Sequence, residues 1–378
     1  MNSSPTNAEA NTFVRTPADF YRPELDVLRF VAFFMVYLNH SISLKPESPH
    51  WIRSFSNACA FGVPLFFALS AYLITELLMI EKRRTGSVST KSFYIRRIFR
   101  IWPLYFPILL GGFLLSHLHR DWLISTPGLI AYIFLVGNWY TSRHVYLSAG
   151  IGPLWSVSVE EQFYLVWPLL VRYGTRLHLG IVCCLGWGCS QAVLVFLCLH
   201  HAPLEPAVWT NSLTHLQYFT LGAGVSLLLN GSAPRIRNNV RVGIILLAMI
   251  LLFASNFVFN SGSGTDLCSV FRTYPNFLLA GASTTLMLVG FLGNASLQGC
   301  RNLSYLGKIS YGMYLYHLPV LMVLWAAGRH LLKGEYPFTV MILGLPLTIG
   351  VASVSYRCFE MPFLRMKKQF EIVKSRPV

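Results

Sequence analysis

The chain has 378 residues, of which 54% are hydrophobic and only 12% are charged. This composition is too apolar for a soluble protein with a charged surface and is typical of a protein with several membrane spans. The net charge of +15 does not indicate nucleic-acid binding, because the Lys and Arg residues lie in short loops between apolar runs rather than on one face of a soluble domain.

The N-terminal residues 1–20 are polar and contain Glu9 and Asp19, with no apolar core before Leu25. We therefore predict no cleavable signal peptide, so the first hydrophobic segment remains as an anchor. Residues 1–20 are expected to form a disordered cytoplasmic tail, residues 21–362 a single transmembrane domain, and residues 363–378 a basic cytoplasmic tail.

Ten apolar runs reach the roughly 17–22 residues that a membrane-spanning helix needs. They are Val27 to Leu44, Cys59 to Ile80, Arg100 to Leu118, Leu154 to Val171, His178 to Leu199, Asn211 to Leu229, Val242 to Asn260, Asn276 to Leu292, Tyr311 to Ala327 and Thr339 to Arg357. An eleventh run, Leu129 to Tyr140, has about twelve residues, which suits a re-entrant or interfacial piece better than a span.

The distribution of basic residues distinguishes ten spans from eleven. With ten spans and a cytoplasmic N-terminus, 23 of the 30 Lys and Arg residues lie on the inner side, as the positive-inside rule requires. Eleven spans would leave 14 inside and 16 outside. The sequence therefore predicts an all-α, polytopic bundle of about ten transmembrane helices with both termini in the cytoplasm.

Two ionisable residues, Arg29 and His40, interrupt the first predicted span. Each costs at least about 2.5 kcal/mol in a hydrocarbon layer, so each needs a protein-lined cavity or a function. Their separation of eleven residues is close to three helical turns, which puts both on one face about 16 Å apart. His40 is either a structural residue bonded to a neighbouring helix or part of a polar channel that begins at Arg29.

A second cluster, Arg96, Arg97 and Arg100, directly precedes the third span. Arg97 and Arg100 share a helical face at i, i+3. They are either ordinary positive-inside anchors or a pair of guanidinium forks that binds phosphate at a cavity mouth, and both can hold together.

Two adjacent carboxylates, Glu160 and Glu161, lie in the fourth span, where only one can face the interior. A buried carboxylate beside a histidine orients the ring and raises its basicity, so Glu160 is a candidate partner of a general base. The alternative is a structural cap or an ion pair with an arginine.

A fourth cluster, Tyr311, Tyr314 and His317, recurs at i, i+3, i+6 and forms one stripe just inside the cytoplasmic boundary. Interfacial tyrosines are often belt residues. Pro319 predicts a kink that would loosen the packing and admit a ligand.

The eight cysteines show no paired spacing of a metal or disulfide framework, and we interpret them as small apolar core residues. His117 and His119 form an HxH pair without a suitably spaced third ligand, so no metal site is predicted.

Together these features resemble the acyltransferase-3 family of integral membrane O-acyltransferases, over about Tyr21 to Pro362. The matching segments are the Arg29 and His40 pair, "FGVPLFFALSAYLI" from Phe61, the RxxR of Arg97 and Arg100, "LWSVSVEEQFYL" from Leu154, "SYGMYLYHLP" from Ser310 and "FEMP" from Phe359. Each segment alone is weak evidence, whereas six in order are specific. The chain looks like the stand-alone form, without an SGNH domain.

The resemblance implies a bacterial inner-membrane enzyme, in contact with membrane lipids, that moves an acetyl or short acyl group from cytoplasmic acyl-CoA to a hydroxyl of a carbohydrate-containing acceptor. The acceptor would be a cell-surface polysaccharide, a lipid-linked sugar or a glycosylated metabolite. Arg29, Arg97 and Arg100 would hold the phosphates of the donor, and Tyr311, Tyr314 and His317 would line its path. His40 would act as general base, supported by Glu160, and an acyl-His40 relay is an alternative route. The competing hypothesis is a proton-coupled transporter or flippase in which His40 and Glu160 relay protons.

Overall fold

A computed structural model describes residues 20–42, 48–117, 124–144, 146–147, 150–259, 267–331, 333 and 337–373. Within these ranges the regular structure is helical, which confirms the predicted all-α class. The helices in chain order are α1 (Pro23–Ser41), α2 (His50–Ala60), α3 (Gly62–Thr85), α4 (Thr90–Ser116), α5 (Thr126–Ile133), α6 (Gly137–Thr141), α7 (Leu154–Tyr173), α8 (Arg176–Leu199), α9 (Ser212–Leu229), α10 (Asn238–Phe259), α11 (Thr273–Phe291), α12 (Ala295–Gln298), α13 (Arg301–Lys308), α14 (Ser310–Leu331), α15 (Pro337–Ser355) and α16 (Met361–Lys368), with π-helical turns at Leu204–Val208 and Tyr356–Glu360.

Each predicted span coincides with a helix of at least 18 residues, namely α1, α3, α4, α7, α8, α9, α10, α11, α14 and α15. Among the described residues, five helical segments are long and apolar enough to cross a bilayer by length and composition alone, or six if α13 and α14 form one broken span. A polytopic helical membrane bundle is therefore confirmed, while the count of ten and the cytoplasmic termini stay predictions. The predicted end of the first span, Leu44, lies outside the described residues.

The short eleventh run does not form a span. It folds as α5 and α6, of eight and five residues, with a left-handed Leu135 at φ 59° between them. Both helices are too short to cross a bilayer, and the re-entrant or interfacial location of this segment stays a prediction.

The turn between α3 and α4 sets the height of the arginine cluster. Gly86, at φ 78°, ends α3 in the left-handed conformation that glycine adopts most readily. Ser89 then caps α4 by accepting from the Ser92 N–H, and its own N–H donates to the buried Glu81 carboxylate at 2.6 Å. Arg97 and Arg100 consequently lie in the second and third turns of α4.

Helix α1 lies in the interior of the bundle and packs closely on two neighbours. A Cβ atom added at Gly62 of α3 would lie 2.4 Å from the Ala32 carbonyl oxygen, and one added at Gly307 of α13 would lie 1.9 Å from that of Asp26. These positions need glycine because the backbones are in contact. The two contacts fix α1 against the helices that complete the site.

One pair of cysteines differs from the sequence-based interpretation. Cys198, at the end of α8, forms a disulfide with Cys268, 70 residues away. The interpretation of all eight cysteines as unpaired core residues was wrong for this pair, because the fold brings together two positions whose spacing carries no signal. Cys184, Cys189 and Cys358 are exposed rather than in the core. Disulfides persist in oxidising compartments, which supports an outer location for this end of α8.

The predicted orientation is testable with native cysteines. Cys300, between α12 and α13, and Cys358, in the second π-helical turn, are free and lie on the predicted cytoplasmic side. We expect a membrane-impermeant maleimide to label both in inside-out vesicles and neither in right-side-out vesicles, read by peptide mapping. A Trp51→Cys variant is the control for the other side, since Trp51 is 59% exposed and lies at the end of α2 that is predicted to face outward. Labelling of Cys300 from the outside would contradict the predicted orientation.

Candidate functional site

Two adjoining cavities contain most of the predicted site residues. The first, here called the basic cavity, lies at the N-terminal end of α1, where α4 and α16 meet it. The second, the Glu160 chamber, lies deeper between α1, α3, α4, α7 and α14. Arg29, Arg97 and Arg100 line both. The three predicted phosphate-binding arginines therefore lie where the two cavities meet.

Each of these arginines is held by a different contact. Arg29 donates to the buried Asp26 carboxylate at 2.9 Å, and Asp26 also accepts from the Tyr21 hydroxyl at 3.1 Å. The Arg97 guanidinium carbon lies 4.6 Å from the centre of the Tyr164 ring. Arg100 donates to the Lys308 carbonyl oxygen at 3.4 Å. Arg97 forms no ion pair with a carboxylate of the described ranges, so its charge is available to an anionic ligand.

The Glu160 chamber is organised by a stripe on α7. Ser156, Glu160 and Tyr164 are spaced four residues apart, so they share a face, and all three line the chamber. The Glu160 carboxylate accepts short hydrogen bonds from the hydroxyls of Ser70 and Tyr164. Glu161 is not among the lining residues of the chamber, as expected for adjacent positions on a helix.

Glu160 does not take the place that the sequence predicted for it. Its partners are Ser70 and Tyr164, and it faces the arginines rather than His40. The physical reason is that Glu160 and His40 lie at different heights in the helix bundle. Glu160 lies almost two turns into α7 and opposite the first half of α4, whereas His40 lies in the last turn of α1. A direct proton relay between His40 and Glu160, as the transporter hypothesis requires, has no support in this geometry.

The partner of His40 is a second histidine. The His40 Nδ1 lies 2.9 Å from the His317 Nε2, and the ring centres are 5.0 Å apart. His317 is fully buried, with the Phe33 ring edge-on at 6.1 Å, whereas His40 is exposed. The sequence predicted His317 to lie on the path of the donor near the cytoplasmic boundary. The structure instead places it beside His40, because the helix axis bends by 69° between α13 and α14 and carries His317 toward the far end of α1.

Hydrogen bonding determines which nitrogen of each ring carries the proton. The His317 Nδ1 lies 2.7 Å from the Tyr314 carbonyl oxygen, which only accepts, so this nitrogen must donate. In the neutral ring the His317 Nε2 is then an acceptor, and the His40 Nδ1 donates to it. The His40 Nε2 consequently keeps its lone pair, which is the state that a general base requires.

Tyr311 and Tyr314 both line the Glu160 chamber, as the stripe on α14 predicted. The Tyr311 hydroxyl donates to the Ile101 carbonyl oxygen at 2.8 Å, and the Tyr314 hydroxyl is 2.7 Å from Ser156. The Tyr314 carbonyl oxygen also accepts the hydrogen bond from His317, so Tyr314 contacts both the chamber and the histidine pair. Neither histidine lines the basic cavity or the Glu160 chamber, so these two cavities do not by themselves form the predicted channel from Arg29 to His40.

Two further expectations concern the surroundings of the site. Helix α14 continues through Pro319, and a separate bend of 69° lies between α13 and α14, so the kink at Pro319 stays a prediction. His119 lies outside the described residues, and no group of three His, Cys, Asp or Glu residues suited to a metal occurs within the described ranges.

Sequence reasoning missed several residues of the site. The missed residues include Ser70, Ser156 and Tyr164, which line the Glu160 chamber. Ser156 and Tyr164 each lie four residues from Glu160 on α7, and this spacing is a signal that could have identified them. Lys367 of α16, assigned to a tail, lines the basic cavity. Helix α16 crosses the predicted boundary at residue 362, and the division into domain and tails stays a prediction.

The chain is similar to known proteins over most of its length. The sequence model of the acyltransferase-3 family, described as an acyltransferase domain, matches residues 22–357. The chain is 29% identical over 370 aligned positions to "Putative O-acetyltransferase SAS0844" of Staphylococcus aureus strain MSSA476, covering 91% of this chain and 57% of that protein. It is 27% identical over 394 positions to "O-acetyltransferase OatA" of S. aureus strain NCTC 8325 / PS 47, covering 93% and 58%. No solved structure matches.

The chain thus spans less than two thirds of the length of these relatives. The family match includes all eight predicted site residues, from Arg29 to His317. The arginine junction, the Glu160 chamber and the histidine pair lie within the matched region, and the chain belongs to the acyltransferase-3 family.

Proposed function

We propose that the protein is a membrane O-acyltransferase that moves an acetyl or other short acyl group from cytoplasmic acyl-CoA to a hydroxyl of a carbohydrate-containing acceptor. The observation that carries the proposal is that α1 presents Arg29 to a basic cavity and, near its other end, a histidine whose Nε2 is free to accept a proton. The names of the relatives, which are O-acetyltransferases, support acetyl as the group transferred.

The donor would bind with its phosphates in the basic cavity. Arg97 and Arg100 offer planar forks that match phosphate oxygens, and Arg29 is held in place by Asp26. The acyl-bearing arm would extend through the Glu160 chamber, where Tyr311 and Tyr314 line the wall. The thioester would reach His40 by way of Tyr314, which lines the chamber and whose carbonyl oxygen accepts from the His317 Nδ1.

The transfer step would follow from the tautomers. The His40 Nε2 accepts the proton of the acceptor hydroxyl while the oxygen attacks the thioester carbonyl carbon. The carbon–sulfur bond then breaks, and the proton passes from His40 to the departing thiolate, which leaves as free coenzyme A. His317 stabilises the protonated state by accepting from the His40 Nδ1. Glu160 remains in the chamber and fixes Ser70 and Tyr164, so its role is positional.

The test uses purified protein in lipid nanodiscs with acetyl-CoA labelled in the acetyl group, and carbohydrate extracted from the cell envelope of its host. We expect release of coenzyme A thiol together with label that becomes bound to carbohydrate and is removed by mild base, as an ester is. Transport predicts a different result in sealed liposomes, namely uptake of labelled cargo with the thioester intact. That result, without thiol release, would contradict the proposed function.

A further inference from the structure

The C-terminal segment of the described chain forms one wall of the basic cavity. Arg96 of α4 donates to the Phe370 carbonyl oxygen at 2.7 Å, and the rings of Phe99 and Phe370 are stacked with centres 6.1 Å apart. Lys367, Glu371 and Val373 line the cavity. This segment is therefore fixed against α4 and belongs to the wall of the site.

The basic cavity has a large excess of positive charge. Its lining includes six cations and three carboxylates, and the cations are Arg22, Arg29, Arg96, Arg97, Arg100 and Lys367. Arg29, Arg97 and Arg100 lie at the junction with the Glu160 chamber, whereas the other three line the basic cavity alone. The cavity therefore offers positive charge at two depths.

Among the three cations away from the junction, the contacts differ. Arg22 donates to the Gly231 carbonyl oxygen and lies 3.8 Å from the Glu24 carboxylate. Arg96 is held by Phe370 and by Glu81 at 3.4 Å. Both are thus engaged in contacts between distant segments that hold the fold.

Lys367 has a different kind of partner. Its ammonium lies 3.2 Å from Glu371, one turn further along its own segment, and its side chain is 17% exposed. The pair joins two residues of the same C-terminal segment, so a phosphate dianion that replaces the Glu371 carboxylate at the ammonium leaves the contacts between distant segments intact. Lys367 is therefore the cation at this depth that a ligand can recruit without loosening the fold.

We propose that Lys367 binds the phosphate monoester on the ribose of the coenzyme A donor and so selects donors that carry it. This inference rests on the proposed function. Coenzyme A has a diphosphate between its thiol-bearing arm and its ribose, and a monoester on the far side of the ribose. With the acyl-bearing arm extending through the Glu160 chamber toward His40, the diphosphate would meet Arg97 and Arg100 at the junction. The monoester, with about two negative charges near pH 7, then lies toward α16.

The experiment measures binding of adenosine 3′,5′-bisphosphate and of 5′-AMP by calorimetry, in nanodiscs of phosphatidylcholine. We expect the unaltered protein to bind the bisphosphate at least roughly tenfold more tightly, as one charge-assisted contact provides. Lys367→Met should remove this preference while leaving the affinity for 5′-AMP unchanged, and Lys367→Arg should keep most of it. Lys368→Met is the matched control, because Lys368 lies on the same helix with the same charge but is exposed and does not line the cavity.

The outcomes separate this inference from the proposed function. The assignment of Lys367 is wrong if the unaltered protein transfers acetyl groups but binds the two nucleotides equally or not at all. It is also wrong if Lys367→Met keeps the preference for the bisphosphate. In both cases the proposed acyltransferase function still stands. If thiol release is absent altogether, the proposed function fails. A lipid headgroup is a second possible source of a phosphate monoester, and nanodiscs that contain phosphatidic acid test it. Loss of the nucleotide preference there would show that a lipid headgroup occupies Lys367, which also overturns the inference.

Discussion

Replacing His40 with alanine should abolish most acyl transfer. We expect kcat to fall about 10²–10⁴-fold, the usual contribution of a general base, because alanine has no nitrogen that can accept the proton of the acceptor hydroxyl. The KM for acyl-CoA should change little, since Arg29 lies about 16 Å from His40 along α1 and His40 lines neither of the cavities that contain Arg29, Arg97 and Arg100. Initial rates of thiol release over a range of donor concentrations measure both quantities.

His317 provides the companion variants for this prediction. His317→Leu removes the acceptor of the His40 Nδ1 proton, so the ring is free to adopt the tautomer with its proton on Nε2, and we expect kcat to fall without a change in KM. His317→Gln keeps a side-chain oxygen that can accept the same hydrogen bond, and it should restore much of the rate. Full activity in His40→Ala, or equal losses in the leucine and glutamine variants, would contradict the assigned roles.

Replacing Arg97 with glutamine should have the second large effect, on the donor rather than on the chemical step. A hydrogen bond to a charged group contributes about 1.5–3 kcal/mol, so we expect the KM for acyl-CoA to rise roughly 10–100-fold. Arg97→Lys keeps the charge but loses the planar fork and the stacking on Tyr164. Its KM for acyl-CoA should therefore lie between that of the unaltered protein and that of Arg97→Gln. Donor titrations of thiol release check the order of the three proteins.

The control for Arg97 is Arg84→Gln, which removes one positive charge from the exposed end of α3 and touches neither cavity. It distinguishes loss of a specific phosphate contact from a general loss of positive potential on this side of the membrane. If Arg84→Gln raised the KM as much as Arg97→Gln, binding would depend on the overall field, and the assignment of Arg97 would be wrong. A rise in the KM of Arg97→Gln that vanishes at high salt would point to the same conclusion, because added salt screens a general electrostatic field.

The helices and the arginine junction were largely predictable, because their signals are local. Hydrophobic length located all ten long helices, and the i, i+3 spacing placed Arg97 and Arg100 on one face. The stripe of Tyr311 and Tyr314 was predictable for the same reason. These features depend on the geometry of one helix at a time. The spacing of residues along the sequence determines directly which side chains share a face of that helix.

The contacts between helices were not predictable. His40 and His317 are 277 residues apart, and nothing in their separate surroundings indicates that they meet. Glu160 was assigned to His40 because carboxylates commonly support catalytic histidines, but the relative depth of α7 and α1 is set by packing. The same limit applies to the disulfide of Cys198 and Cys268 and to the return of α16 onto α4. Depth and pairing follow from side-chain complementarity across the bundle, which no single segment encodes.

The burial of α1 against Gly62 and Gly307 has a consequence for which donors the enzyme can use. Arg29 and His40 both lie on α1, which is one continuous helix. The distance between the Arg29 guanidinium and the His40 imidazole is therefore set by the length of helix between them. Only a donor with a tether of matching reach can anchor at one end and react at the other. Acetyl phosphate, equally activated but without such a tether, should be a poor substrate however high its concentration.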